Sequence, residues 1–230
     1  VNLAERDPSL RELMDDPGCD PRLLAATYRR FGLVNRLVAG WAGVYRRTLR
    51  PYLSGLGRPA RVLDLGCGGG DVAAHLAALA RADGLRVQWI GADPDPRAID
   101  AATARAASDV SFLCTGSGAL RESGERFDAV LSNHVLHHLD ADEFAAFVDD
   151  SAALSSGLVL HGDIERDRLA YALYGAGILP LAAGTFLRVD GLRSIRRSYR
   201  AAELASRLPE GWRVERPARF RVLAVRDADA

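Results

Sequence analysis

The fold class predicted by this 230-residue sequence is α/β: a doubly wound, seven-stranded, mostly parallel sheet with an antiparallel last strand, preceded by a helical cap. Three observations carry the prediction. Short apolar runs alternate with alanine-rich helical stretches from residue 61 to residue 163. The first run, Val62–Leu65, ends in the glycine cluster Gly66-Cys67-Gly68-Gly69-Gly70. Finally, two β-rich segments near the end of the chain are separated only by Pro217-Ala218-Arg219, which marks an antiparallel hairpin.

Residues 8–56 read as helical, and residues 1–58 form the expected amino-terminal cap. Asp20-Pro21 supplies an N-cap followed by proline at the first helical position. Leu24, Tyr28, Phe31, Val34 and Val38 then recur at roughly helical spacing. Gly40 and Gly43 bend or divide the region, and Trp41, Val44, Tyr45 and Leu49 continue a second apolar face. Pro51 and the run from Ser54 to Pro59 end it. Residues 59–230 read as one α/β domain. Strands are expected at 61–65, 86–92, 110–114, 127–132 and 157–163, with helices at 71–82, 95–107 and 141–154. Beyond Asp163 come an apolar helical stretch at 167–181, a loop and an arginine-rich segment at 188–200. A helix at 200–207 leads into strands Trp212–Arg216 and Phe220–Val225.

Composition narrows the function. A hydrophobic fraction of 48% and a charged fraction of 26% are those of an ordinary globular protein. No apolar run reaches the ~18 residues needed to span a bilayer. With no secretory pattern at its start, the chain is expected to be cytoplasmic. Cys19, Cys67 and Cys114 fit neither a disulfide framework nor a metal site, and Cys67 reads as a compact filler of the glycine turn. All 30 basic residues are arginine, balanced by 30 acids. Arginine dominates 1–58 and 188–226, while acids dominate 59–187. Arginine and aromatic residues do not interleave along a stripe, so no nucleic-acid partner is expected.

The chemistry sits at the glycine cluster, at the carboxyl end of the first strand and directly before a helix. A dinucleotide fingerprint needs GxGxxG, and Asp71 stands where its third glycine belongs. Asp64, two residues before the first glycine, suits a cationic amino-acid ligand better than a pyrophosphate. With no lysine, the chain has no phosphate-binding P-loop. The second strand ends at Asp93, where a carboxylate can accept both hydroxyls of a ribose.

With VLDLGCGGGD at Val62–Asp71, GADPDP after the second strand and FDAVLSNHVLHHL at 127–139, residues 61–164 resemble the class I S-adenosylmethionine-dependent methyltransferases. The likeness is to the small-molecule branch that includes the ubiquinone and menaquinone biosynthesis enzymes. The resemblance implies a Rossmann-like domain with S-adenosylmethionine as cofactor, and a substrate lid inserted around 166–199. Gly66, Gly68 and Gly70 would shape the cofactor pocket, Asp64 would lie near the methionine moiety, Asp93 would hold the ribose and Asn133 would lie beside the sulfonium or methionine end. Ser117 stands where the family often has an aspartate for the adenine amino group. The flanking segments are similar to a subgroup that accompanies type III polyketide synthases. The implied reaction is methyl transfer to a small, aromatic or polyketide-derived acceptor, at oxygen in preference to carbon. A cofactor-binding protein without transfer and an NAD-dependent oxidoreductase remain the alternatives.

An oxygen acceptor must lose a proton, which makes residues just past the strand ends candidates. His134 is the expected base. Asp163, at the end of the fifth strand, is the second catalytic candidate, either as base or as orienter of a phenol. His137 and His138 point apart as neighbours, and His161 is a weaker candidate. No metal site is expected. Tyr171, Tyr174 and Phe186 would belong to the lid, with Tyr28, Phe31, Trp41 and Tyr45 closing from the other side. Arg193, Arg196, Arg197 and Arg200 read as a solvated face that could meet a substrate carboxylate.

Overall fold

The computed structural model describes residues 2–227. The cap comprises α1 (Pro21–Val38), α2 (Trp41–Val44), a π-helical turn (Tyr45–Leu49) and α3 (Arg50–Gly55). Asp20 caps α1 as expected, its side chain accepting from the Arg22 amide at 2.8 Å. Residues 8–20, expected to be helical, are not. Pro8, Pro17, Gly18 and the paired acids Asp15 and Asp16 break the pattern there, and the segment runs across the surface as turns and loop.

The sheet is built on β1 (Ala60–Leu65), β2 (Val87–Asp93), β3 (Val110–Cys114), β4 (Phe127–Asn133), β5 (Ser155–Ile164), β6 (Trp212–Glu215) and β7 (Arg221–Arg226), in the order β3-β2-β1-β4-β5-β7-β6. β1 to β5 are parallel. β7 is antiparallel to both of its neighbours, so it alone runs against the rest. The hairpin's second strand therefore sits inside the sheet and its first strand forms the edge. Burial explains the seating. Val222, Leu223, Ala224 and Val225 are all buried, whereas β6 carries Arg213 and Glu215 on a partly exposed strand.

The crossover helices are α4 (Asp71–Ala82), α5 (Pro96–Thr103), α6 (Ser117–Glu122) and α7 (Ala141–Leu154). α6 lies between β3 and β4, where no helix is expected from the sequence pattern. α8 (Arg168–Gly177), α9 (Leu179–Ala182) and α10 (Leu187–Arg197) follow β5, and α11 (Ala201–Ala205) precedes the hairpin.

Successive strand residues feed opposite cores. Val62, Trp89, Leu131 and Leu160 pack with α4 and with Trp41, Tyr45, Leu49 and Leu53 of the cap. Leu63, Ile90, Val130 and Val159 pack with Phe144 and Val148 of α7 and Leu204 of α11. The second half of the cap is thus part of the main core, while α1 lies over the glycine turn. Among the described residues no helix is long and apolar enough to cross a membrane. Strand order reverses between β1 and β4, which opens a crevice at the carboxyl edge of the parallel strands.

Candidate active site

At that edge lies a cavity of about 900 Å³ that reaches from the glycine turn to the helices after β5. Gly66 leaves β1 with φ +68°, and a Cβ there would stand 2.5 Å from Val135 Cγ2. Only glycine lets this turn close against the segment after β4. Gly70 (φ +73°) meets the Phe112 ring instead, and its role is to seat α4 against β3. Arg105 fastens the turn from outside, donating to the carbonyls of Gly69 (2.8 Å) and Tyr28 (3.2 Å). Cys67 is buried, which pushes its thiol up and makes it inert filler.

Three carboxylates face this end. Asp93 accepts from the amides of Gly68 and Asp95, both at 2.9 Å, so it fixes the turn as well as lining the cavity. Asp71 accepts from the Asn35 side-chain amide at 2.9 Å. Asp64 is buried, and among the described residues neither of its oxygens has a hydrogen-bond partner. Burial drives its carboxyl well above the usual range, and the charges of Asp71 and Asp93 push the same way. Burial also raises Asp71 and Asp93. An orphaned buried carboxylate beside two others calls for a cationic ligand.

The other end is apolar, lined by Phe31 and Val34 of α1 and by Tyr174, Ile178, Leu187 and Ile195 from the helices after β5. Cap and lid are tied together. Thr27 Oγ1 accepts from the Phe186 amide at 2.9 Å, and Arg30 donates to the carbonyls of Leu181 and Ala183, both at 2.7 Å. Polar groups gather at one wall. His137 Nδ1 lies 2.7 Å from Asp163 Oδ1, and the His137 amide donates to Asp163 Oδ2 at 3.0 Å. His137 Nε2 lies 3.2 Å from Glu12 Oε1, which also accepts from Ser194 Oγ at 2.5 Å. Burial works against the charge on His137, but Asp163 and Glu12 outweigh it and lift the imidazole to about 9. Burial likewise opposes the charges on Glu12 and Asp163. Their histidine neighbours win: Glu12 is held down to about 2 and Asp163 below the usual carboxylate range.

The expected site residues separate in space. Asp64, Gly66, Gly68, Asp93, Asn133 and His134 line the cavity. Asn133 Oδ1 accepts from Trp41 Nε1 (2.9 Å) and from Arg221 (3.0 Å). His134 has φ +61°, an unusual conformation for a residue other than glycine. Its Nε2 meets Arg221, which can only donate, so that nitrogen is an acceptor. Burial, followed by the Arg221 charge, depresses His134 well below its ordinary value. Asp163 reaches the cavity only through His137. Ser117 opens α6 and gives its hydroxyl to Asp150 at 2.8 Å, outside the cavity wall. His161 is enclosed by Ser132 Oγ (2.8 Å) and Ser151 Oγ (2.9 Å) and stacks on Trp212, a satisfied core histidine. The arginines at 193–200 tie down the amino-terminal segment: Arg196 pairs with Asp7 at 2.8 Å, and Arg193 and Arg200 donate to the carbonyls of Arg11 and Leu3.

Sequence reasoning missed Glu12 and Arg221. Glu12 lies 125 positions from its partner His137, and no local spacing signals that contact. Arg221 begins a strand and is buried, and an arginine heading an apolar run was its one visible sign.

Known proteins agree with this geometry. Residues 62–155 match a protein family described as a methyltransferase domain. A ubiquinone biosynthesis O-methyltransferase of Brucella anthropi is 37% identical over 117 residues, covering 49% of this chain and 44% of that protein. Its counterpart in Parvibaculum lavamentivorans is 30% identical over 148 residues, covering 62% and 53%. The chain thus spans about half the length of the curated relatives it matches. Among solved structures, the plantazolicin methyltransferase BpumL in complex with S-adenosylhomocysteine shares the fold, with a TM-score of 0.59, 15% identity, and coverage of 89% of this chain and 93% of that one. Sheet order and glycine turn are those of the fold shared with that methyltransferase, and residues 62–155 are similar to a methyltransferase domain.

Proposed function

We propose that the protein transfers the methyl group of S-adenosylmethionine to an oxygen of a small aromatic or polyketide-derived acceptor. One observation carries the reading: a single cavity joins the orphaned Asp64 to an apolar chamber whose polar wall holds His137. The cofactor supplies a methyl group on a sulfonium, and the acceptor oxygen displaces it in line as the S–C electron pair returns to sulfur.

The residues do the rest by placement. Asp64 offers its free carboxylate to the amino-acid end of the cofactor, and Asp93 offers its remaining lone pairs to the ribose. Asn133, held by Trp41 and Arg221, stays fixed beside the methionine end. His134 has its Nε2 lone pair occupied by Arg221, which suits framing the pocket better than removing a proton. Asp163 acts as a positioning residue by holding His137. The reacting hydroxyl meets the wall formed by His137, His138 and Glu12, where the charged His137, held by Asp163 and Glu12, favours the developing oxyanion while the proton leaves to solvent. The apolar chamber shields the reaction from water and selects an apolar ring.

Methyl transfer from radiolabelled S-adenosylmethionine to a panel of phenols tests the reading, alongside calorimetry with S-adenosylhomocysteine. Micromolar binding and labelled phenol ethers are expected. Asp93→Ala should weaken S-adenosylhomocysteine by a hundredfold or more, since two hydrogen bonds to a charged acceptor are worth about 3–6 kcal/mol together. Binding of NADH in place of S-adenosylhomocysteine would instead establish an oxidoreductase. Tight S-adenosylhomocysteine binding with no labelled product from any phenol would overturn the proposed acceptor class.

A further inference from the structure

We propose that Glu12, His137 and His138 form a binding site for one divalent transition-metal ion at the acceptor end of the cavity. One ligand atom from each of the three lies within 4.8 Å of the other two. Glu12 Oε1 stands 3.2 Å from His137 Nε2 and 3.5 Å from His138 Nε2. Ligands about 2.0–2.1 Å from a tetrahedral ion stand roughly 3.3 Å apart, so the spacing already fits a shared ion.

The surroundings support the same conclusion. Both imidazoles carry a carboxylate on Nδ1: Asp163 on His137 at 2.7 Å and Asp15 on His138 at 3.1 Å. A carboxylate on one ring nitrogen fixes the tautomer and turns the other nitrogen toward a metal. Here both free nitrogens turn toward the same oxygen. Ser194, donating to Glu12 at 2.5 Å, orients the third ligand. Two histidines and one carboxylate with open positions form a donor set for iron, zinc or manganese in preference to magnesium or calcium.

Charge is consistent with an ion. Three carboxylates (Glu12, Asp15, Asp163) face two imidazoles. Arg197, 3.9 Å from Asp15, Arg6, which donates to the His137 carbonyl at 3.0 Å, and Arg221, whose charge acts on Asp163, lie near the cluster. Carboxylates thus outnumber imidazoles around the position a dication would take. All three ligands line the cavity, so the ion would face the acceptor. That last step rests on the proposed methyl-transfer reading: an oxygen donor drawn to the ion would favour its ionised form, with its proton released to solvent.

The site can be tested without any turnover. Protein stripped with a chelator and dialysed is titrated with Co²⁺, watching the visible d–d absorption, and then with Zn²⁺ as competitor. One Co²⁺ per chain, displaced by one Zn²⁺, is expected. Glu12→Gln and His138→Ala should each weaken binding by tenfold or more, while S-adenosylhomocysteine binding to the same variants reports that they are folded. His138 is partly exposed, which makes its variant the safer for folding. The proposal is overturned if the wild-type protein shows no saturable Co²⁺ absorption at micromolar concentration, or if both variants bind Co²⁺ as tightly as the wild type. A protein that bound Co²⁺ but no S-adenosylhomocysteine would retain the metal site and lose the methyltransferase reading.

Discussion

Replacing Asp64 by asparagine is expected to weaken S-adenosylhomocysteine binding at least a hundredfold and to raise the melting temperature of the ligand-free protein. The two effects have one origin. Asp64 is buried without a hydrogen-bond partner among the described residues, between the apolar Leu63 and Leu65 near the end of β1. Its charge is costly until a cation arrives. Removing one partner of a buried charge pair costs about 3–5 kcal/mol, which exceeds the roughly 2.7 kcal/mol equivalent to a hundredfold. In the ligand-free protein the same change removes an uncompensated charge. Each kcal/mol recovered raises the midpoint by roughly 2–4 °C in a chain of this size.

The pH dependence follows with a definite sign. The folded-state values of Asp64, Asp71 and Asp93 are raised. The stability they contribute is present below the ordinary carboxylate range and is lost as pH rises through the raised values. Melting of the ligand-free protein should therefore fall as pH increases above about 4, and saturating cofactor should flatten the fall. Differential scanning fluorimetry across pH, for wild type and Asp64→Asn, reads both. An unchanged melting curve together with unchanged binding would remove Asp64 from the cofactor site.

The second large effect concerns stability. His137→Ala should cost about 3–5 kcal/mol, because it leaves Asp163 and Glu12 buried without the cation they share. At the conversion above, the midpoint falls by roughly 6–20 °C. The double variant His137→Ala/Asp163→Asn should lose less than the sum of the singles, since the neutral amide no longer strands a charge. Chemical denaturation of the four proteins gives the coupling, and strict additivity would show that the two residues do not act as a pair. The wild-type pair has its own pH signature. The His137 contribution is present below about 6.5 and is lost as pH rises through about 9. The Glu12 contribution is lost in the other direction, as pH falls through about 2.

The sheet and the glycine-turn end of the cavity were legible because their signals are local. Asp64, Gly66, Gly68 and Asp93 sit at fixed offsets from strand ends, and a strand end is visible as the limit of an apolar run. The acceptor half is assembled from far-apart segments by long-range contacts. Nothing near Glu12 announces that Arg6, donating to the carbonyls of His137 (3.0 Å) and Leu139 (3.3 Å), will bring its segment to the loop after β4. His134 and His137 look alike in the sequence. Only the packing shows Arg221 against one and Asp163 against the other. Ser117 was placed by analogy with an acid after the third strand, and the short helix α6 turns it toward Asp150. The helical reading of residues 8–20 gave too little weight to two prolines and a glycine.

The path of the amino-terminal segment has an evolutionary consequence. The glycine turn and the carboxylates Asp64, Asp71 and Asp93 lie within the matched core, on or beside strand ends of the sheet. Glu12, Asp15 and the helices after β5, which shape the other chamber, lie outside that core. They are fastened mostly by side chains reaching backbone carbonyls, such as Arg6, Arg166 and Arg200, which are indifferent to the identity of the residues they hold. Those two peripheral stretches can therefore be redrawn without disturbing the glycine turn or the carboxylates beside it.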